Sequence, residues 1–224
     1  AREQLDQSPL QCVIPETKVV DDGTLRQAVA ECRKADVDVL ITLQTTMSDG
    51  RMAPVLAQLW DNPVVMWATP EKQTGAMISA CSLVGIHTWA ATYAQLDRPF
   101  EITYGMPGQA ETATALEQAV RVAYTARRVR NGKVGLVGFH APGFIDMHAD
   151  PFLLSQKLGM QFHHFSIGEF LDRMETFGDE QVAADVKDVE TLGLPLEDVP
   201  ESDLPTASRY TLAMRALAEE QCLD

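Results

Sequence analysis

Apolar runs of strand length alternate along this chain with longer stretches whose apolar residues recur at helical spacing. That alternation predicts βα units around a parallel sheet. Asp21, Asp22, Gly23 and Thr24 offer N-cap chemistry, and Leu25, Ala28, Val29 and Cys32 then share one helical face. A strand follows over 37–43, and a helix over 51–61. Pro63 opens Val64–Ala68, whose continuous apolar character suits a central strand buried on both faces. Residues 74–95 read as a helix, 99–104 as a strand and 109–131 as a long helix. In that last helix Leu116, Ala119, Val120, Ala123 and Tyr124 are expected to face inward. Arg121, Arg127, Arg128 and Arg130 gather toward its C-terminal end, where cations complement the helix dipole.

Asn131-Gly132 ends the long helix, and 133–139 restarts as an apolar strand feeding the loop His140-Ala141-Pro142-Gly143-Phe144. A domain boundary is therefore expected at residue 132, with a first domain over 1–132 and a second over 133–224. The second continues with a helix over 149–158, a strand over 161–166, a helix opening at Ile167-Gly168-Glu169, and helices over 179–191 and 206–224. Tyr210, Met214 and Leu217 share a face of the last. The fold expected is α/β: two consecutive doubly wound parallel-sheet domains of Rossmann or flavodoxin-like type, the second incomplete because its last helix has no strand after it. Ala1 to Leu5 reads as the middle of a helix, so the chain is expected to be an interior piece.

Charge narrows the partners. Eighteen Lys and Arg against 32 Asp and Glu give −14 at pH 7, and such a surface repels phosphate backbones, so nucleic acid is excluded as a partner. Between Gly178 and Pro205 nine carboxylates face the single Lys187, the pattern of a solvated helix and linker. No apolar run reaches the length of a spanning helix, so a membrane partner is not expected, and no leader is visible. The four cysteines show no CxxC or zinc spacing and read as reduced, buried thiols of a cytoplasmic protein. Trp60, Trp67 and Trp89 lie on apolar stretches and are expected in the core, with His87 as a buried neutral histidine beside them.

Three places could carry chemistry. The loop at His140, Pro142, Gly143 and Phe144 follows a strand, where α/β sheets bind ligands, and suits a small polar ligand; it is not a GxGxxG fingerprint. The loop with Thr45, Thr46, Met47, Asp49 and Arg51 also follows a strand. Its hydroxyls, the Gln44 amide before them and its charges suit a polyol, and Ser48 and Asp49 suit equally a helix cap. Asp146-Met147-His148-Ala149-Asp150 alternates potential metal ligands, but Asp150-Pro151 reads as a helix start, cap followed by Pro at N1. His163 and His164 are adjacent in a strand and point to opposite faces, so they do not share one ion. No GxSxG, HExxH or P-loop motif occurs.

The order of these pieces resembles the L-fucose isomerase family, with the L-arabinose isomerases as wider relatives. The motifs are the strand with its Thr45-Thr46-Met47 loop, the Gly75-Ala76 helix start, Val134-Gly135-Leu136-Val137-Gly138-Phe139-His140-Ala141-Pro142-Gly143-Phe144, then Leu158-Gly159-Met160 and Ile167-Gly168-Glu169-Phe170. The resemblance implies two N-terminal α/β domains before a C-terminal domain, a homo-oligomer in which the first domain of one subunit closes its neighbour's site, and a divalent ion, usually manganese. By resemblance His140 to Phe144 line the sugar pocket, and Thr45 to Met47 reach an adjacent subunit. Met47 stands where L-fucose isomerase proper has a tryptophan. The family's metal ligands find no match here, so none is expected in this chain. The activity implied is aldose–ketose isomerisation through an ene-diol, with a carboxylate as base. A sugar-binding module of the periplasmic-binding or repressor type is the alternative; it would cross between its domains more than once, and this sequence shows one boundary.

Overall fold

The computed structural model describes residues 1–72, 78, 80–193, 199–200 and 202–223. A short helix α1 (Arg2–Asp6) precedes α2 (Asp22–Lys34), which opens on a capping box: the Asp21 carboxylate accepts from the Thr24 amide, and the Thr24 hydroxyl accepts from the Asp21 amide. Asp36 takes a left-handed φ of 51°, and the Val37 amide donates back to the Cys32 carbonyl, which closes the helix. Residues 37–39 are spent on this exit, so strand β1 runs Leu40–Gln44, three residues later than the apolar run begins. Then follow α3 (Met52–Leu59), β2 (Val64–Ala68), α4 (Ser82–Gln95), β3 (Phe100–Tyr104) and α5 (Ala110–Arg130).

Strands β1, β2 and β3 form a parallel sheet in chain order, with Leu40, Val64 and Phe100 in register. All five residues of β2 are buried, and their alternation sends them to two different cores. Val64, Met66 and Ala68 pack with Leu25, Val29, Leu56, Trp60, Ile86, Trp89 and Tyr93 from the α2–α4 side. Val65 and Trp67 pack with Leu116, Ala119 and Ala123 of α5, joined by Leu5 of α1. Helices thus cover both faces, which is why the strand reads as continuously apolar. The three tryptophans are core residues, each at most 4% exposed.

Packing divides the chain at Arg128/Val129, within the last turn of α5. The second unit holds β4 (Lys133–Val137), a 3-10 turn (Ile145–Met147), α6 (Pro151–Leu158), β5 (Gln161–Phe165), α7 (Ile167–Met174), α8 (Asp179–Thr191) and α9 (Asp203–Gln221). Its sheet, parallel β4–β5 alone among the described residues, marks it as an incomplete α/β unit. Phe165, Phe170, Ala213 and Leu217 make its core, with Val137, Met174, Phe177 and Leu223 against them. Asp185 of α8, itself buried, is held by Arg215 of α9 at 2.9 Å.

Several expectations need correction. His87 is exposed: α4 buries Ser82, Gly85, Ile86, Trp89, Ala90 and Tyr93, and residue 87 lies about 100° of turn beyond Ile86. Tyr124 is 42% exposed, one step past the buried row Thr112, Leu116, Ala119 and Ala123. On α9 the buried residues are Ser208, Ala213 and Leu217, while Tyr210 stacks at its flank on Phe170 with ring centroids 5.8 Å apart. Of the cysteines only Cys32 is buried; Cys12 and Cys81 are half-buried and Cys222 is exposed, all as free thiols. Burial pushes the Cys32 thiol above its ordinary pKa. The helix expected from residue 74 begins at Ser82, and the Gly75-Ala76 start lies outside the described residues.

Candidate functional site

The polar loop after β1 splits into an inner and an outer part. Gln44, at the end of β1, is buried, and its Oε1 accepts from the Ser48 hydroxyl at 2.8 Å. Thr45, Thr46 and Met47 are exposed, Met47 by 60%. The Met47 amide donates to the Ala80 carbonyl at 2.8 Å, so the loop is tied at its middle as well as its base. Asp49 accepts from the Arg51 amide at 2.9 Å and from Arg51 Nε at 2.6 Å. These hydrogen bonds hold its carboxyl below the usual carboxylate range. A lowered folded-state pKa means that the pairing is present above the ordinary carboxylate pKa and lost only as pH falls through the depressed value. Asp49 thus organises the turn into α3 by bonding Arg51, while the side chains of Thr45, Thr46 and Met47 are exposed.

Beside that loop, the carboxyl ends of β1 and β2 are filled by the chain itself. The Glu71 carboxylate accepts from the amides of Ala80 at 2.9 Å and Ser82 at 3.0 Å, at the start of α4. The Ser82 hydroxyl donates to the Gln44 carbonyl and accepts from the Thr69 amide. In open α/β sheets this crevice commonly takes a ligand's phosphate at a helix N-terminus. Here a carboxylate of the chain accepts from two of those amides, and the adjoining loop exposes the Thr45 and Thr46 hydroxyls, the Met47 thioether and the Asp49–Arg51 pair. The Gln44 amide, expected among the polyol-facing groups of this loop, is instead buried at its base; Glu71 and Ser82 carried no signal in the sequence.

In the second unit Gly138, with φ of +76°, ends β4 two residues before the apolar run ends. Phe139 is therefore 74% exposed, and its ring lies 4.0 Å from that of the half-buried His140. The next turn, with Pro142 and Gly143 (φ +94°), brings the Phe144 amide to the Ala141 carbonyl at 3.1 Å. That turn folds the loop back on itself, and the His148 ring comes to 5.7 Å from His140. Phe144, Ile145, Met147 and Phe152, near the pair in sequence, are exposed apolar residues. This meeting of two imidazoles was invisible in the sequence, because only the turn brings together residues eight positions apart.

Asp150 accepts from the amides of Phe152 at 2.8 Å and Leu153 at 3.2 Å, with Pro151 following as the first helical residue. It is a helix cap. Asp150→Ala is expected to lower stability by about 1 kcal/mol and to leave divalent-ion binding unchanged, as urea denaturation and a manganese titration would show. Among the described residues no group of three or more His, Cys, Asp or Glu side chains could hold a metal ion. No described residue is therefore assigned as a ligand of the divalent ion that the resemblance implies.

No family model matches the chain. Curated relatives do. It is 22% identical over 187 residues to the sulfoquinovose isomerase of Alkalicoccus urumqiensis, which covers 84% of this chain and 42% of that protein. The sulfoquinovose isomerases of Priestia aryabhattai and Priestia megaterium are each 21% identical over 200 residues, 88% of this chain and 45% of theirs. The relatives are sugar isomerases. The chain spans less than half the length of these relatives, and the match includes most of it. Kinship with sugar isomerases is thus supported at this coarse level. No described helix is long and apolar enough to cross a membrane.

Proposed function

We propose that this chain is the N-terminal part of a cytoplasmic, metal-dependent aldose–ketose isomerase of carbohydrate metabolism, L-fucose isomerase-like in plan. It would supply sugar-pocket loops and contacts of a homo-oligomer. The observation that carries this reading is the distant kinship with sugar isomerases along more than four-fifths of the chain. Two polar loops at strand carboxyl ends support it, since one presents exposed hydroxyls and the other a half-buried imidazole, groups that suit a polyol.

In this reading, a divalent ion such as manganese would be held by residues of the rest of the enzyme and would supply Lewis-acid chemistry to the transfer of a proton between C1 and C2 of the sugar. This chain's own residues bind and orient. A neutral His140 imidazole donates through one nitrogen and accepts through the other, which matches a sugar hydroxyl. Pro142 and Gly143 fix the turn that presents it, and Phe144 offers an apolar edge to the sugar's C–H face. Thr45, Thr46 and Met47 reach the sugar pocket of a neighbouring subunit.

The test is turnover. Full-length protein with manganese should convert an aldose to its ketose when offered sulfoquinovose, L-fucose and L-arabinose in parallel. The 224-residue chain alone should convert none of them and should show no tight manganese site. Sugar binding by the full-length protein without turnover would favour a binding module. A micromolar manganese site on the isolated chain, lost on His148→Ala, would overturn the division of labour described above.

A further inference from the structure

We infer that Gln44 is a positioning residue, which with Ser48 and Gly85 clamps the base of the Thr45, Thr46 and Met47 loop so that its outer residues meet the ligand in one arrangement. The inference rests on the reading that this loop faces a sugar. Gln44 closes an apolar strand, where a leucine or methionine would pack without any polar atom to satisfy, yet its side chain is 7% exposed. A buried carboxamide needs partners. Its Oε1 accepts from Ser48, four residues on, which ties the two ends of the exposed turn together. Its Nε2 is buried with no hydrogen-bond partner among the described residues, so the residue carries a polar cost that its packing alone does not explain.

Gly85 gives the second, independent sign. It sits inside α4, where glycine is a poor helix former. A Cβ added there would land on Gln44 Oε1 and lie 3.0 Å from the Ser48 amide nitrogen. The helix is therefore bare at the one point where the loop's base is seated. The Ser82 hydroxyl holds the Gln44 carbonyl, and the Ala80 carbonyl holds the Met47 amide, so the strand end and the loop middle are fixed to the same helix start. Anchors point inward, while Thr45, Thr46 and Met47 point out.

Hydrogen exchange and kinetics on full-length Gln44→Met, Ser48→Ala and Gly85→Ala test this. Gln44→Met keeps the packing volume and removes the acceptor, so it remains informative if Gly85→Ala fails to fold. Amides of residues 45–49 should exchange about tenfold faster, with β2 amides unchanged, and Gln44→Met/Ser48→Ala should be no worse than either single change. KM for sulfoquinovose, the probe sugar, should rise about three- to tenfold with kcat within about twofold. Unchanged exchange in both Gln44→Met and Ser48→Ala, or effects that simply add, would overturn the clamp. So would a KM that moves with Thr45→Ala and not with Gln44→Met. If exchange quickens while neither Thr45→Ala nor Gln44→Met alters KM, the clamp stands as a structural device and the sugar-loop reading falls.

Discussion

Trp67→Ala should cost about 3–5 kcal/mol of stability, a large share of the roughly 5–15 kcal/mol that holds a domain folded. Trp67 is fully buried in the central strand, against Leu116, Ala119 and Ala123 of α5, and its indole N–H donates to the Gly105 carbonyl at 3.0 Å. Removing it empties the space between sheet and helix and leaves that carbonyl without its donor. Trp67→Phe keeps most of the ring and loses the hydrogen bond, so its cost should be markedly smaller. Urea denaturation followed by circular dichroism measures both. A loss below about 1 kcal/mol for the alanine variant would mean that α5 does not pack on this face.

The second large effect concerns His140. In the full-length enzyme, His140→Ala should reduce kcat/KM by roughly 10- to 100-fold, the loss of one or two hydrogen bonds, with bound manganese still stoichiometric. The loop geometry motivates this: a turn fixed by Pro142 and Gly143 presents a half-buried imidazole between Phe139 and His148. His148→Ala should have a smaller effect on turnover. If manganese is lost with the His140 imidazole, the residue is a ligand; if kinetics are unchanged, the loop is structural.

Much of the fold was legible because its signals are local. Val64–Ala68 announced a doubly buried strand by its unbroken apolar run, Asp150-Pro151 announced a helix start, and 179–191 announced a helix with the bounds observed. Errors came where a position's fate depends on phase or on a turn. His87 lies beside buried residues in sequence and a third of a turn away in space, and Phe139 continues an apolar run that Gly138 has already ended. The candidate loops were legible as loops after strands. What they contain was only partly so: Thr45 and His140 declared polar chemistry, whereas the Gln44–Ser48 tie, the Glu71 carboxylate at the start of α4 and the His140–His148 approach depend on how the chain turns over four to nine residues, which no periodicity records.

The strand order of the first sheet also bears on how the chain reaches this state. Because β1, β2 and β3 lie side by side in the order of synthesis, the sheet grows at one edge only, and each pairing joins strands that are neighbours in sequence. Each pairing is parallel and spans 24 or 36 residues, so its closure is slow. This creates a vulnerable interval. From the emergence of Ala68 until Phe100–Tyr104 arrives, the outer edge of β2 is a bare, uncharged Val-Val-Met-Trp-Ala strand, the kind of segment that pairs with its own copies. The delivery of β3 is therefore the step that separates productive folding from aggregation. Changes that slow it, such as a destabilised α4, should lower soluble yield more than they lower the stability of the finished protein.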